Sequence, residues 1–151
     1  MKNNIRATAA EIVFSVIEEK QLLTDLIKKN CADMAEKDIK LVKNISYGII
    51  RKLPELEAIV TQQLNAKIKP KNKILYYLLL VGCYQIKFTR IPVYASIHAT
   101  VSACSKFKIT SAKSLVNAVL RKISKQNTEI TKNTEGFSKP QFHHKHFLCG
   151  L

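Results

Sequence analysis

The segment from Ile74 to Val81 constrains the fold of this chain more than any other part of it. It reads ILYYLLLV, eight aliphatic or aromatic residues in a row. A helix without a polar face is stable in water only when other elements cover it on several sides. The full apolar run, Ile74 to Cys83, has ten residues, about half of what a membrane-spanning helix needs. The segment is therefore predicted to be the central helix of a bundle that has no membrane partner.

Apolar residues recur at three- and four-residue spacing through most of the remaining chain, and no alternating strand pattern competes with them. The first helix is expected to begin after Asn3 or Asn4, both good capping residues. Asp33 and Glu36 have the spacing of a capping box and are predicted to open a later helix. Pro92 is expected to set the turn that follows the central helix. The predicted fold class is all-α.

The helical periodicity ends near Lys125, and this divides the chain. Its 151 residues are enough for one compact domain and too few for two. Residues 1–126 are therefore predicted to form the domain. Residues 127–151 are predicted to be a tail, either disordered or aberrant through a truncation or a change of reading frame; the alternative is a short protein with an unusual end.

Positive charge is concentrated in the second half of the chain. There are 25 Lys and Arg against 11 Asp and Glu, a net charge of +14. The first 57 residues are nearly balanced, whereas residues 58–128 contain twelve basic residues and no acid. Solvated helices usually mix both signs, because opposite charges one turn apart stabilise each other. The asymmetry favours a polyanionic partner, nucleic acid or an anionic membrane surface; the alternative is a merely soluble surface rich in lysine.

The sequence lacks the motifs of common catalytic sites. Its four glycines are too dispersed for a phosphate-binding loop, and it has no Gly-x-Ser-x-Gly, His-Glu-x-x-His or Cys-x-x-Cys. His98 stands alone and is expected to be a surface or packed residue. A cluster in the tail has metal-ligand chemistry, but it has no supporting shell and no metal role is predicted. This cluster consists of His143, His144, His146 and Cys149.

The four cysteines lie far apart, and two of them fall inside apolar helical patterns. This favours buried free thiols over a disulfide framework, hence a reducing compartment and a cytoplasmic location. No cofactor is predicted.

Several blocks of residues occur in the order and spacing of a known family. They are Arg6 with Ala9-Ala10, Tyr47-Gly48 with Arg51, Gly82-Cys83-Tyr84-Gln85, Thr89-Arg90-Ile91-Pro92 with Tyr94-Ala95, and Asn117-Ala118-Val119-Leu120-Arg121. In these blocks the chain resembles the NusB family of RNA-binding domains. It is most similar to the domain at the N-terminus of RsmB-type (Sun/Fmu) 16S ribosomal RNA cytosine-C5 methyltransferases. The acid-free stretch 97–101 and Arg121 favour this branch over the stand-alone antiterminators.

The resemblance implies a NusB-like bundle of about seven helices that binds RNA, with 16S ribosomal RNA as the expected partner. By analogy with the family, Lys2 and Arg6 near the start of the first helix and Ser111 and Lys113 at the start of the last helix are RNA-binding candidates. Arg121 comes from the last block. The charge distribution adds four further candidates: Lys69, Lys71 and Lys73 in a charged connector, and Arg90.

Five residues in the matching blocks are expected to serve the fold. Gly48 and Gly82 lie inside predicted helices, where glycine costs stability, so close approach of a second helix is the expected reason for them. Asn117 is expected to be a buried amide. Tyr84 and Gln85 are interpreted as structural, with RNA contact as the alternative.

The resemblance also limits the predicted function. The related methyltransferases bind S-adenosylmethionine and use two cysteines, one of them in a Pro-Cys motif, and no cysteine of this chain follows a proline. The chain by itself is therefore expected not to be an enzyme. A separately encoded catalytic half is one possible partner. The alternative functions are a stand-alone antitermination factor that binds RNA with a small ribosomal protein, and a protein-interaction module without RNA affinity.

Overall fold

A computed structural model describes residues 4–65 and 67–133, with side chains as far as residue 126, and this part of the chain forms seven α-helices. The helices are α1 Ile5–Glu18, α2 Leu23–Asn30, α3 Glu36–Arg51, α4 Leu53–Gln63, α5 Lys73–Phe88, α6 Val93–Ser102 and α7 Lys113–Asn133. Short 3-10 helices occupy Pro70–Asn72, Ala103–Phe107 and Thr110–Ala112. No strand occurs among the described residues, and the predicted all-α bundle of about seven helices is confirmed.

Helix α5 lies at the centre of the bundle. Eleven of its sixteen residues are buried, and α1, α3, α4, α6 and α7 all pack against it. The central position predicted from the apolar segment is confirmed. A smaller core around Ile12, Leu26 and Val42 joins α1, α2 and α3. Among the described helices, none combines the length and apolar character needed to cross a membrane.

The helix starts agree only in part with the sequence prediction. Asn4 caps α1, and its Oδ1 accepts a hydrogen bond of 2.9 Å from the N–H of Ala7. The predicted capping box is wrong, because α3 begins at Glu36 and Ala35 occupies the N-cap position without a side-chain hydrogen bond. Asp33 instead lies in a turn that is closed by the hydrogen bond from the N–H of Met34 to the carbonyl of Cys31. This turn allows Met34 to pack against the smaller core.

Helix α7 continues past the point where the apolar periodicity ends. It runs from Lys113 to Asn133, so its backbone remains helical for eight residues after Lys125. Periodicity reports burial, and a helix that leaves the core no longer needs an apolar face. The rest of the predicted tail, with its histidine cluster, lies outside the described residues, and the proposed domain boundary stays a prediction.

Gly48 and Gly82 lie where two helices approach closely, as predicted. A Cβ atom on Gly82 would lie 2.6 Å from Cδ1 of Leu120 on α7, and one on Gly48 would overlap the ring of Tyr84. Tyr84 is buried, and its hydroxyl donates to Oδ1 of Asn44 at 3.2 Å. The close α3–α5 and α5–α7 contacts therefore depend on the absence of a side chain at Gly48 and at Gly82.

Gln85 links three helices through its buried amide. Its Oε1 accepts a hydrogen bond of 2.8 Å from Nε of Arg6 on α1. Its Nε2 donates to the carbonyl of Val81 at 3.2 Å and to Oγ1 of Thr100 on α6 at 3.1 Å. The structural interpretation of Gln85 is confirmed, since its side chain is fully buried. Burial also lowers the pKa of the half-buried Arg6 guanidinium.

The thiols of Cys31, Cys83 and Cys104 are free and buried, which confirms the sequence prediction for these three residues. Burial raises the pKa of the Cys83 thiol to about 12. At neutral pH this thiol is therefore protonated and unreactive. Cys149 lies outside the described residues.

We expect Gly48→Ala to destabilise the protein by about 1–3 kcal/mol, because the new methyl group must displace the Tyr84 ring. This cost outweighs the gain of up to about 1 kcal/mol that alanine brings to a helix interior. Urea denaturation measures the free energy of unfolding. In a Tyr84→Leu background the ring is gone, and Gly48→Ala should be close to neutral. If Gly48→Ala lowered the free energy of unfolding equally in both backgrounds, the assigned contact between Gly48 and the Tyr84 ring would be contradicted.

We expect Gln85→Leu to destabilise the protein by about 1–3 kcal/mol, because it leaves Nε of Arg6 without its acceptor in a half-buried position. Arg6→Met alone should also destabilise it, since Oε1 of Gln85 then stays buried and unpaired. The double variant should recover much of the loss, and urea denaturation of all four proteins tests this. Additive losses would show that the hydrogen bond contributes nothing specific.

Candidate nucleic-acid interface

The connector between α4 and α5 and the helix α7 line opposite parts of a groove of about 510 Å³. Lys67, Lys69 and Lys71 of the connector and Lys122 of α7 line it, and all four are exposed. The groove also has an apolar part, which includes Leu115, 41% exposed. Among the described side chains, no acidic residue lines it. We call this site, defined by its four lysines, the lysine groove.

The backbone of the connector is held in place at several points. Ile68 is partly buried and packs against the main core. Lys69 is extended, and Pro70 begins a 3-10 turn in which the N–H of Asn72 donates to the carbonyl of Lys69 at 2.8 Å. Helix α5 follows directly from Lys73. Lys69 and Lys71 therefore project from a fixed backbone, which reduces the entropy lost when they bind a ligand.

The lysine groove has no internal counter-charge. The described part of the chain contains two ion pairs, Lys52–Glu55 and Lys73–Glu18, and both use acids from the balanced first 57 residues. Four ammonium groups around one groove create a positive potential that attracts polyanions and that salt screens.

Lys73 belongs to a structural contact and not to the lysine groove. Its Nζ lies 3.1 Å from Oε1 of Glu18, and the hydroxyl of Tyr77 donates to the other carboxylate oxygen of Glu18 at 2.5 Å. The hydrogen bond from Tyr77, followed by that from Lys73, lowers the pKa of Glu18. Burial, followed by the bond to Glu18, raises the pKa of Tyr77. This cluster joins α1 to α5, so Lys73 is less available to RNA than its neighbours.

The other predicted RNA-binding residues lie outside the lysine groove. Arg6 is half-buried and uses Nε to hold Gln85. Arg90 is exposed just after α5, Ser111 is exposed in the turn before α7, and Lys113 is half-buried at the start of α7. Lys2 lies outside the described residues. Their roles as RNA contacts stay predictions.

A second groove, of about 770 Å³, is lined by α6 and α7, which pack against each other. Tyr94, 78% exposed, lines it from α6, and Asn117, Arg121 and Lys125 line it from α7. Asn117 is half-buried in this lining, so the prediction of a buried amide is wrong. We call this the α6–α7 groove. His98 also lines it and is exposed, which agrees with the prediction of a surface or packed histidine.

Sequence reasoning did not assign Lys67 or Lys122 to a site, although both were counted in the acid-free half. Lys122 is far from the connector in sequence, and only the packing of α7 brings the two together. Tyr94 belongs to one of the matching blocks, and nothing else in the sequence assigned it to a site. An aromatic residue within an acid-free segment was the available sequence signal for it, and only the structure shows that it is exposed. The described residues contain no group of His, Cys, Asp and Glu that could hold a metal ion.

Comparison with known proteins identifies the family. The sequence profile described as the NusB family matches residues 3–125. The chain is also similar to proteins named ribosomal RNA small subunit methyltransferase B. The relative from Photorhabdus laumondii is 36% identical over all of this chain and 36% of its own length. The relative from Shewanella oneidensis is 38% identical over 89% of this chain and 32% of its own length.

A third relative of the same name, from Pasteurella multocida, is 37% identical over 84% of this chain and 29% of its own length. The chain thus spans about a third of the length of the curated relatives it matches. The alignment with the Photorhabdus protein continues through the residues after Lys125, so the C-terminal segment has a counterpart in that relative. The match over residues 3–125 and the all-α structure agree with the resemblance in the sequence: the chain belongs to the NusB family.

Proposed function

We propose that this chain binds ribosomal RNA through the lysine groove, as the NusB-type part of a small-subunit ribosomal RNA methyltransferase. The observation that carries the proposal is the groove itself, with four exposed lysines from two distant parts of the chain and no acid. Lysine side chains neutralise phosphates and release the counterions condensed on the RNA, which gives affinity for any sequence. The name of the relatives supports the small-subunit ribosomal RNA as the partner.

The charge of the lysine groove matches the chemical groups that RNA exposes on its own surface. A-form RNA exposes its phosphates, whereas its major groove is too deep and narrow for side chains to read the bases. Lysines are compact point charges without a fixed hydrogen-bonding plane. The lysine groove is therefore suited to bind the RNA backbone and to position the molecule, with little discrimination between sequences.

In this proposal, the described residues do not carry out methyl transfer. Cytosine-C5 methylation in the resembling enzymes uses cysteine, and the three described cysteines are buried in the helical core. Burial raises the pKa of the Cys83 thiol to about 12, and raises the pKa of Cys31 and Cys104 as well. These thiols are neither accessible nor ionised, so they are unsuited to attack a base. The proposed role of the chain is to bind and place the RNA.

We expect reversal of Lys69, Lys71 and Lys122 to Glu to weaken RNA binding at least about ten-fold near 0.1 M salt, since phosphate contacts dominate the affinity. If each lysine neutralises one phosphate, the slope of log K against log salt should become shallower by about 2–3. The loss should be similar for unrelated sequences. Fluorescence anisotropy with labelled fragments of small-subunit ribosomal RNA measures both quantities.

The matched control reverses Lys28, Lys29 and Lys37, which are exposed on α2 and α3 in the charge-balanced part of the chain. Both triple variants change the net charge equally, but the control should retain most of the affinity because nearby acids already reduce the local potential. Equal losses of RNA affinity in the two triple variants would show that only the net charge of the protein determines binding. No binding by the unmodified protein at low salt would exclude the RNA proposal and leave the protein-interaction module.

We further expect the purified chain to transfer no methyl group to small-subunit ribosomal RNA from radiolabelled S-adenosylmethionine. A full-length relative, such as the protein from Photorhabdus laumondii, serves as the positive control. Incorporation of label by the chain alone, above a reaction without protein, would contradict the proposed division of roles.

A further inference from the structure

The α6–α7 groove has a different chemistry from the lysine groove. Tyr94, in the first turn of α6, is 78% exposed, and Val93 beside it is 38% exposed. Ile97 and Val101, one and two turns further along, complete an apolar wall. Two adjacent exposed apolar residues at the mouth of a groove form a patch that a partner can cover.

The opposite wall of the α6–α7 groove carries hydrogen-bonding and positive groups. Asn117, Arg121 and Lys125 follow one another at four-residue intervals on α7, so they share one face of that helix. Two like charges one turn apart destabilise a helix slightly. An anionic ligand would relieve this repulsion, and the Asn117 amide offers both a donor and an acceptor.

The two grooves are connected by positive charge across α7. Lys122 lines the lysine groove, Lys125 lines the α6–α7 groove, and both line a smaller cleft of about 220 Å³ between them. Gln63 of α4 and Gln126 of α7 complete this cleft, and Nε2 of Gln63 donates to Oε1 of Gln126 at 2.8 Å. Among the described side chains, a polyanion in the lysine groove can therefore continue over α7 without meeting an acid in the lining of these three sites.

We propose that the α6–α7 groove is a second RNA subsite, which takes an unpaired nucleotide with its base stacked on Tyr94. Arg121 and Lys125 bind the adjoining phosphates, and the Asn117 amide is placed to hydrogen-bond a base edge. The inference rests on the proposed RNA binding and adds that part of the RNA must be single-stranded. A duplex fits the lysine groove, but its bases are stacked inside and cannot reach the tyrosine ring.

The groove favours a nucleotide over an acidic peptide for two reasons. Its most exposed apolar surface is one flat ring, which matches a base, whereas an amphipathic helix requires a row of apolar pockets. In addition, Asn117, Arg121 and His98 line the same groove as the ring and supply hydrogen-bonding groups to it. A base combines a flat apolar face with polar edges, and a phosphate supplies the negative charge.

The test compares a single-stranded RNA oligonucleotide with a duplex of the same length, using the full chain. Tyr94→Ala should weaken binding of the single strand by roughly 5- to 150-fold, as expected for the loss of one stacked base. It should change duplex binding by less than about two-fold and leave the salt slope unaltered, because no phosphate contact is lost. Tyr94→Phe keeps the ring and should retain the affinity.

Two further measurements separate stacking from a loss of structure. A 2-aminopurine placed in the single strand should be quenched on binding by the unmodified protein and by Tyr94→Phe, but less by Tyr94→Ala. The matched control is Tyr47→Ala, which removes a tyrosine that is 39% exposed on α3 in the charge-balanced part of the chain. This variant should bind both RNAs as the unmodified protein does. Thermal melting should show all three variants folded.

The outcomes distinguish this inference from the proposed function. If Tyr94→Ala binds the single strand normally while the reversal of Lys69, Lys71 and Lys122 weakens it, the stacking subsite is overturned and the lysine groove stands. If Tyr94→Ala lost the same affinity for the single strand and for the duplex, the stacking subsite would also be overturned. If the unmodified protein binds neither RNA at low salt, both proposals fail.

Discussion

The burial of α5 at the centre of the bundle is the constraint on which the rest of this structure depends. An apolar helix must be covered, and five other helices surround it. Each large aliphatic side chain that leaves water contributes about 1.5–3 kcal/mol, so contact with α5 strongly favours the arrangement in which these helices surround it. The connector before α5 and the C-terminal helix α7 consequently meet at its edge, and the lysine groove lies between them.

Specific contacts then fix the helices against this centre. The missing side chains of Gly48 and Gly82 let α3 and α7 approach α5 closely. The amide of Gln85 holds Arg6 of α1 and Thr100 of α6 at once. Burial alone tolerates many packings of similar volume, whereas close approaches and directional hydrogen bonds select one of them.

The separation of charge along the sequence decides which cations remain available. Lys73 is paired with Glu18, an acid of the balanced first part of the chain. Lys69, Lys71 and Lys122 lie in the acid-free segment 58–128, and they face solvent around one groove. In the proposed function, one wall of α7 binds phosphates and the other takes a base on Tyr94.

The sequence by itself determined the helical class, the central position of α5, a first-helix cap at Asn3 or Asn4 and the family, because periodicity, capping and motif spacing can be read from the chain without its packing. It also established the acid-free half. Only the tertiary structure decided that Lys122 joins the connector, that Lys73 pairs with Glu18 and that Asn117 lines a groove. These outcomes depend on which faces of distant helices meet. The sequence around a polar residue in a helix is the same whether its side chain is buried in the core, forms an ion pair or lines a groove, so only the packing of the helices decides between these outcomes.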